Sequence, residues 1–144
     1  MKLVICEKPS VGAAVAAALG VTGRKDGYIE GNGYLISWCI GHLVQLSEAA
    51  AYGEQYKKWS YDSLPILPQE WQYTVAADKG KQFKILKDLM HSADVSEVVN
   101  ACDAGREGEL IFRFVYHQAG CKKPLPVFGF PQWKTKQSEV ALTI

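Results

Sequence analysis

Twice in this chain, a short and mostly apolar run of residues ends at a carboxylate and is followed by a helix-forming stretch. The first run is residues 3–6, and Glu7 follows it directly. The second run is residues 97–102, and it ends at Asp103. Short apolar runs of this kind are typical of strands that are buried on both faces of a parallel sheet. Strands that alternate with helices therefore predict an α/β layer fold.

Helices and a hairpin account for most of the remaining chain. Apolar residues at helical spacing predict three helices, over residues 11–19, 79–90 and 107–118. Ser10 is the expected cap of the first helix. The dipeptide Asn32-Gly33 favours a type I′ turn between two short strands. Residues 49–72 are rich in aromatic residues and contain prolines, so we expect an irregular insertion there.

Composition narrows the function classes. The chain has 144 residues, the size of one domain, and a formal net charge of +1, so charge alone gives no indication of nucleic acid binding. The first residues do not form a signal peptide, and no stretch is long and apolar enough to span a membrane, so we expect a cytoplasmic protein. The four cysteines lack paired spacing and are expected to be reduced core thiols.

The two strand-end acids suggest a site. Because the carboxyl ends of neighbouring parallel strands share one crevice, Glu7 and Asp103 would face each other if their strands are adjacent. Carboxylates without histidine or cysteine partners favour a hard cation such as Mg²⁺, which suits phosphate chemistry. The alternative is that these acids only cap helices and face water. A nucleotide cofactor is not expected, because the Gly-x-Gly at residues 31–33 lies in a hairpin and no Gly-Lys-Ser/Thr loop is present.

Two segments carry a resemblance to a known family. Residues 100–112, which read Asn-Ala-Cys-Asp-Ala-Gly-Arg-Glu-Gly-Glu-Leu-Ile-Phe, resemble the acidic motif of the Toprim family. In type IA DNA topoisomerases that motif commonly reads Asp-x-Asp-Arg-Glu-Gly-Glu. Residues 3–10 resemble the other motif of the family, in the Glu-Lys-Pro-Ser form that is typical of topoisomerase III. Residues 41–43 and 81–83 also resemble that subfamily.

The resemblance implies an N-terminal Toprim domain over residues 1–128, followed by a divergent or truncated tail over residues 129–144. It implies a Rossmann-like, mostly parallel sheet flanked by helices, with a β-hairpin and an irregular aromatic insertion. From the residues themselves, we expect a last short strand at residues 126–128. The resemblance also implies roles. Glu7 would place the scissile phosphate, transfer a proton or bind metal. Lys8 would stabilise the phosphate or protonate the leaving 3′ oxygen, and Asp103 and Glu107 would hold Mg²⁺.

Three further residues are less determined by the resemblance. Arg106 would contact the DNA backbone or pair with a neighbouring acid. His42 would line the DNA path or be a packed, hydrogen-bonded histidine. Gly105 stands where the family motif usually has Asp, which predicts weaker Mg²⁺ binding than in a protein with that acid.

Type IA topoisomerases cut one DNA strand with a tyrosine nucleophile, and that tyrosine belongs to a later domain. The seven tyrosines here match no such motif and are expected to be packing aromatics. The implied partners are single-stranded DNA and the remaining topoisomerase domains, in a bacterial, nucleoid-associated protein. The chain alone is expected to be inactive. The alternatives are a stand-alone Toprim nuclease that uses water, or a degenerate remnant that only binds DNA.

Overall fold

A five-stranded sheet forms the centre of the computed structural model, which describes residues 1–126. The strands of the described residues are β1 Lys2–Cys6, β2 Gly23–Lys25, β3 Tyr28–Gly31, β4 Tyr34–Trp38, β5 Val44–Leu46, β6 Tyr73–Val75 and β7 Glu97–Ala101. The order in the central sheet is β2-β3-β4-β1-β7, and β5 pairs with β6 in a separate two-stranded ribbon. The α/β fold class is confirmed, and the sheet is mixed. β1 pairs in parallel with β4 and β7, whereas β3 pairs antiparallel with β2 and β4.

Three α-helices lie within two residues of the predicted bounds. They are α1 Pro9–Ala18, α2 Gly80–His91 and α3 Arg106–Gln118. α1 begins earlier than expected, because Pro9 opens it and Lys8, in extended conformation, is the residue before the first turn. Proline suits that first turn, since it lacks the N–H that the helix would leave unpaired. Ser10 therefore lies inside the helix, and no side chain caps α1.

The helices cover both faces of the sheet. Side chains of β1 alternate between the faces, as the pleat of a strand requires. Leu3 and Ile5 belong to a cluster with residues of α2 and α3, whereas Val4 and Cys6 belong to a cluster with residues of α1. All four are fully buried. Each such side chain contributes roughly 1.5–3 kcal/mol when it leaves water, so β1 is anchored from both sides.

The predicted hairpin turn is confirmed. Asn32 and Gly33 have φ values of 49° and 80°, and a type I′ turn needs positive φ at both central residues. The Asn32 Nδ2 atom also donates hydrogen bonds to the backbone oxygens of Leu19 and Gly20, at 3.2 and 2.9 Å. The turn therefore ties the hairpin to the end of α1.

The irregular insertion is confirmed between β5 and β6. Its backbone forms short 3₁₀ turns, and a fourth such turn precedes α2. These turns are Ala49–Tyr52, Glu54–Tyr56, Tyr61–Ser63 and Ala77–Lys79. Tyr61 is 96% exposed, so the expectation that the tyrosines pack is wrong for this residue. Tyr61 lies in a 3₁₀ turn in the middle of the insertion and belongs to neither of the two core clusters.

The end of the chain is not covered by these observations. Of the strand predicted at residues 126–128, only Pro126 lies among the described residues, and its backbone is irregular. The proposed tail at residues 129–144 lies outside them. Within residues 1–126, none of the helices has the length and apolar character needed to cross a bilayer.

Candidate active site

The two strands that carry the predicted acids are neighbours. β1 and β7 run parallel, with Cys6 opposite Ala101 in the register. Glu7 therefore leaves the sheet at the same edge as Cys102 and Asp103. Glu7 is half-buried and Asp103 is exposed. The adjacency on which the sequence argument depended is thus present, and both carboxylates lie at one edge of the sheet.

Three buried thiols lie beneath this edge of the sheet. Cys6, Cys39 and Cys102 are buried, and all four cysteines of the chain are free, as predicted. Burial raises the pKa of the Cys6 thiol. A hydrogen bond with Cys39, together with burial, raises the pKa of the Cys102 thiol. The Cys6 and Cys102 thiols are therefore uncharged at neutral pH.

A tight turn joins Asp103 to α3. The Gly105 amide donates to the Asp103 carbonyl at 2.8 Å, and Gly105 is the residue that precedes the helix. Its φ of −156° is extended backbone, which any residue adopts. A Cβ atom built at Gly105 would meet no atom within 4 Å. The turn therefore has room for the acid that the family motif usually carries at this position.

Gly108 lets the helix approach this turn closely. A Cβ atom built on Gly108 would lie 2.3 Å from the carbonyl oxygen of Asp103 and 2.9 Å from its nitrogen. Real Cβ atoms do not tolerate such distances to backbone. Glycine at this place in the motif is thus a packing requirement, and our reading of the sequence gave it no role.

The sequence analysis also did not predict a hydrogen-bond network that lies next to Asp103. Asn100 is buried in β7, and its Oδ1 accepts from the Cys102 amide at 3.0 Å. Its Nδ2 donates to Glu109 Oε2 at 2.8 Å, and Arg113 Nε donates to Glu109 Oε1 at 2.6 Å. The available signals were an amide side chain inside an apolar strand and an acid–arginine pair at the i,i+4 spacing of a helix.

The structure brings His42 to Glu107. The His42 Nε2 and Glu107 Oε1 atoms lie 2.5 Å apart, and the side chains are 36% and 70% exposed. Lys79 Nζ donates to the His42 carbonyl at 3.1 Å, which holds the loop after β4 in place. Glu107, expected to hold metal, is thus hydrogen-bonded to His42, and of the two alternatives for that histidine the hydrogen-bonded one is present.

The two basic residues of the prediction lie at helix starts. Lys8 is exposed, and its carbonyl accepts from the amides of Val11 and Gly12 at 3.1 and 3.2 Å. Arg106 is exposed as the first residue of α3. Helix N-termini favour anions, because their backbone N–H groups are unpaired and the helix dipole is positive there. Two helix starts and two cations next to the acidic edge suit a bound phosphate.

The donor groups of the site fit Mg²⁺ in a limited way. Within residues 1–126, no group of three or more His, Cys, Asp or Glu side chains is arranged to hold a metal ion. However, Mg²⁺ is commonly held by one or two carboxylates, with water and substrate phosphate supplying the other oxygens. Glu7 and Asp103 offer such carboxylates. The residues present therefore fit an ion shared with a phosphate better than an ion enclosed by protein.

Comparison with known proteins identifies the family of the chain. The Toprim domain family matches residues 2–128. The chain belongs to the Toprim family. The resemblance stated from the two motifs is thereby confirmed.

Similar proteins carry one recurrent name. The chain is 46% identical over 124 residues to DNA topoisomerase 3 of Shouchella clausii, an alignment covering 86% of this chain and 17% of that protein. It is 42% identical over 123 residues to DNA topoisomerase 3 of Staphylococcus epidermidis, covering 85% and 17%. The chain therefore spans about a sixth of the length of these relatives. Full-length topoisomerase I from Thermotoga maritima shares the fold, with a TM-score of 0.61, 20% identity and coverage of 98% of this chain and 20% of that one.

Proposed function

We propose that this Toprim domain is part of a type IA DNA topoisomerase of the topoisomerase III kind, which cleaves and rejoins single-stranded DNA. The observation that carries the proposal is the placement of Glu7 and Asp103 at the ends of the adjacent parallel strands β1 and β7. The similarity to proteins named DNA topoisomerase 3 supports it. A bacterial, nucleoid-associated location in the cytoplasm goes with this proposal.

In this proposal the domain holds the scissile phosphate. Lys8 and Arg106 pair with phosphate oxygens, and Asp103, with Glu7 and Glu107, holds Mg²⁺. A bound Mg²⁺ would neutralise charge on the phosphate and orient it. Glu7 or Lys8 exchanges a proton with the 3′ oxygen as that oxygen leaves and returns. Because the contact with His42 uses only the Oε1 atom of Glu107, the Oε2 atom could contribute to the ion while the histidine orients the carboxylate.

The nucleophile is supplied from outside residues 1–126 in this proposal. A tyrosine of another domain attacks the phosphorus and forms a phosphotyrosine bond, and the 3′ oxygen leaves. Return of that oxygen breaks the bond and restores the strand. The chain alone is then half of an active site, and we propose that it does not relax DNA.

A chimera tests the proposal directly. The chain would replace the matching segment of Shouchella clausii DNA topoisomerase 3, to which it is 46% identical. We expect Mg²⁺-dependent relaxation of negatively supercoiled plasmid by the chimera, and its loss in chimeras that carry Glu7→Gln or Asp103→Asn. A folded chimera that stays inactive when the donor enzyme is active would contradict the proposal and favour a degenerate DNA-binding remnant.

An assay on the isolated chain tests the other alternative, a stand-alone nuclease. We expect plasmid incubated with the chain to stay supercoiled both with Mg²⁺ and with EDTA. Mg²⁺-dependent nicked or linear product that disappears in Asp103→Asn would instead show a stand-alone nuclease that uses water.

A further inference from the structure

We infer that Asn100 and Glu109 are positioning residues that fix the turn carrying Asp103, and that Glu109 does not bind metal. The inference rests on the proposed function only where it concerns Mg²⁺, since the hydrogen bonds themselves belong to the metal-free chain. Glu109 lies in the acidic motif, two residues after Glu107, and its type alone would make it a candidate ligand.

Both carboxylate oxygens of Glu109 already accept hydrogen bonds. Oε2 accepts from Asn100 at 2.8 Å, and Oε1 accepts from Arg113 at 2.6 Å. A metal ion would have to compete for these oxygens with an arginine and an amide that are already in place. Glu109 is therefore assigned to the support of the turn, and not to the ion that Glu7 and Asp103 would share.

Asn100 links Glu109 to the turn that carries Asp103. Asn100 is 6% exposed, and its Oδ1 accepts from the Cys102 amide, one residue before Asp103. Since both ends of the Asn100 amide are bonded, its orientation is set jointly by Glu109 and the Cys102 amide. A change at Glu109 is thus transmitted through Asn100 to the backbone that carries Asp103.

The bond polarity offers a sharp test. Glu109→Gln places an amide N–H₂ against one of the two donors, Asn100 or Arg113, and leaves that donor unpaired. Asn100→Asp places a second carboxylate against that of Glu109. The double variant Asn100→Asp with Glu109→Gln reverses the polarity of the link and allows all three hydrogen bonds to form again, at unchanged net charge. Restoration by the second substitution is expected of a positioning pair and is not expected of a lost metal ligand.

Two measurements on the 144-residue chain follow from this. Without metal, we expect hydrogen exchange of the Cys102 amide, followed by NMR, to quicken about tenfold or more in each single variant and to return to within about threefold of wild type in the double variant. In a calorimetric titration with Mg²⁺, each single variant should bind the ion about tenfold more weakly. This is the lower end of the loss that is usual when a residue supporting a metal ligand is changed. The double variant should regain most of it.

Glu107→Gln is the matched control, because it is the same substitution on the same helix turn. It should lower Mg²⁺ affinity and leave the exchange of the Cys102 amide unchanged. Unchanged exchange in Glu109→Gln would overturn the inference, as would Mg²⁺ affinity that stays lost in the double variant while exchange is restored. If the wild-type chain binds no Mg²⁺, the metal part of the proposed function fails, and hydrogen exchange alone decides the role of Glu109.

Discussion

Restoring the missing acid of the motif should strengthen Mg²⁺ binding without disturbing the fold. Gly105 has extended backbone and open space around its Cβ position, so Gly105→Asp requires no rearrangement. The residue precedes α3 directly and no side chain caps that helix. An aspartate there would cap the helix and also place a second carboxylate next to Asp103.

The magnitudes separate these two effects. Replacing glycine at a compatible φ gains about 0.4–1 kcal/mol through the unfolded chain, and the cap adds a few tenths. Repulsion from Asp103 opposes this by about 0.7 kcal/mol for unit charges roughly 6 Å apart in water. A divalent ion roughly 4 Å from the new carboxylate gains about 2 kcal/mol in the same medium, which is at least tenfold in affinity.

Gly105→Asn is the control, since asparagine caps the helix equally well and carries no charge. Without Mg²⁺, we expect thermal unfolding of the asparagine variant about 2–4 °C above wild type and of the aspartate variant close to wild type. Calorimetric titration should show at least tenfold tighter Mg²⁺ binding in the aspartate variant only. Equal Mg²⁺ affinities of wild type and Gly105→Asp would refute the argument that the missing carboxylate weakens the site.

Three further perturbations test the packing and electrostatics around the site. Gly108→Ala places a Cβ against the Asp103 backbone and should cost about 1–3 kcal/mol, measured by urea unfolding. Phe112→Ala empties a fully buried position under the sheet and should cost about 3–5 kcal/mol in the same assay. Because the pKa of each of the Cys6 and Cys102 thiols is raised in the fold, their contribution is fully present below the unfolded thiol pKa and is lost as pH rises toward the folded one. The free energy of unfolding should therefore fall above about pH 8.5, by up to about 1.4 kcal/mol per pH unit for each thiol, and Cys6→Ala should reduce that slope.

Local signals in the sequence were sufficient for the elements that surround the site. The apolar run of β1, the Asn32-Gly33 turn and the apolar spacing of α2 and α3 each depend on neighbouring residues, and each was predicted within two residues. The three-residue strands β2, β5 and β6 were not predicted, because they are too short to show alternation. They exist through pairing with distant or adjacent segments, and pairing is not visible in a local pattern.

In the candidate site, too, local features could be predicted from the sequence and long-range contacts could not. That Glu7 and Asp103 end strands was readable from the sequence, and the fold supplied the adjacency of those strands. The pairing of His42 with Glu107 joins residues 65 positions apart, so no local pattern predicts it. The role of Asn100 was hidden for another reason. An amide inside a buried strand shows that a partner is needed, and only the packing of α3 against β7 identifies the partner as Glu109.

Helix geometry explains why the acids of the motif cannot substitute for one another. Successive residues of an α-helix are about 100° apart around its axis, so Glu107 and Glu109 are separated by about 200° of rotation and point to nearly opposite sides of the helix. Gly108, between them, faces the Asp103 turn at contact distance. Glu107 is therefore directed to the side of His42, and Glu109 to the side of Asn100. In the proposed site, Glu109 therefore does not replace the carboxylate absent at Gly105, and a bound ion would take its protein oxygens from Glu7, Asp103 and Glu107.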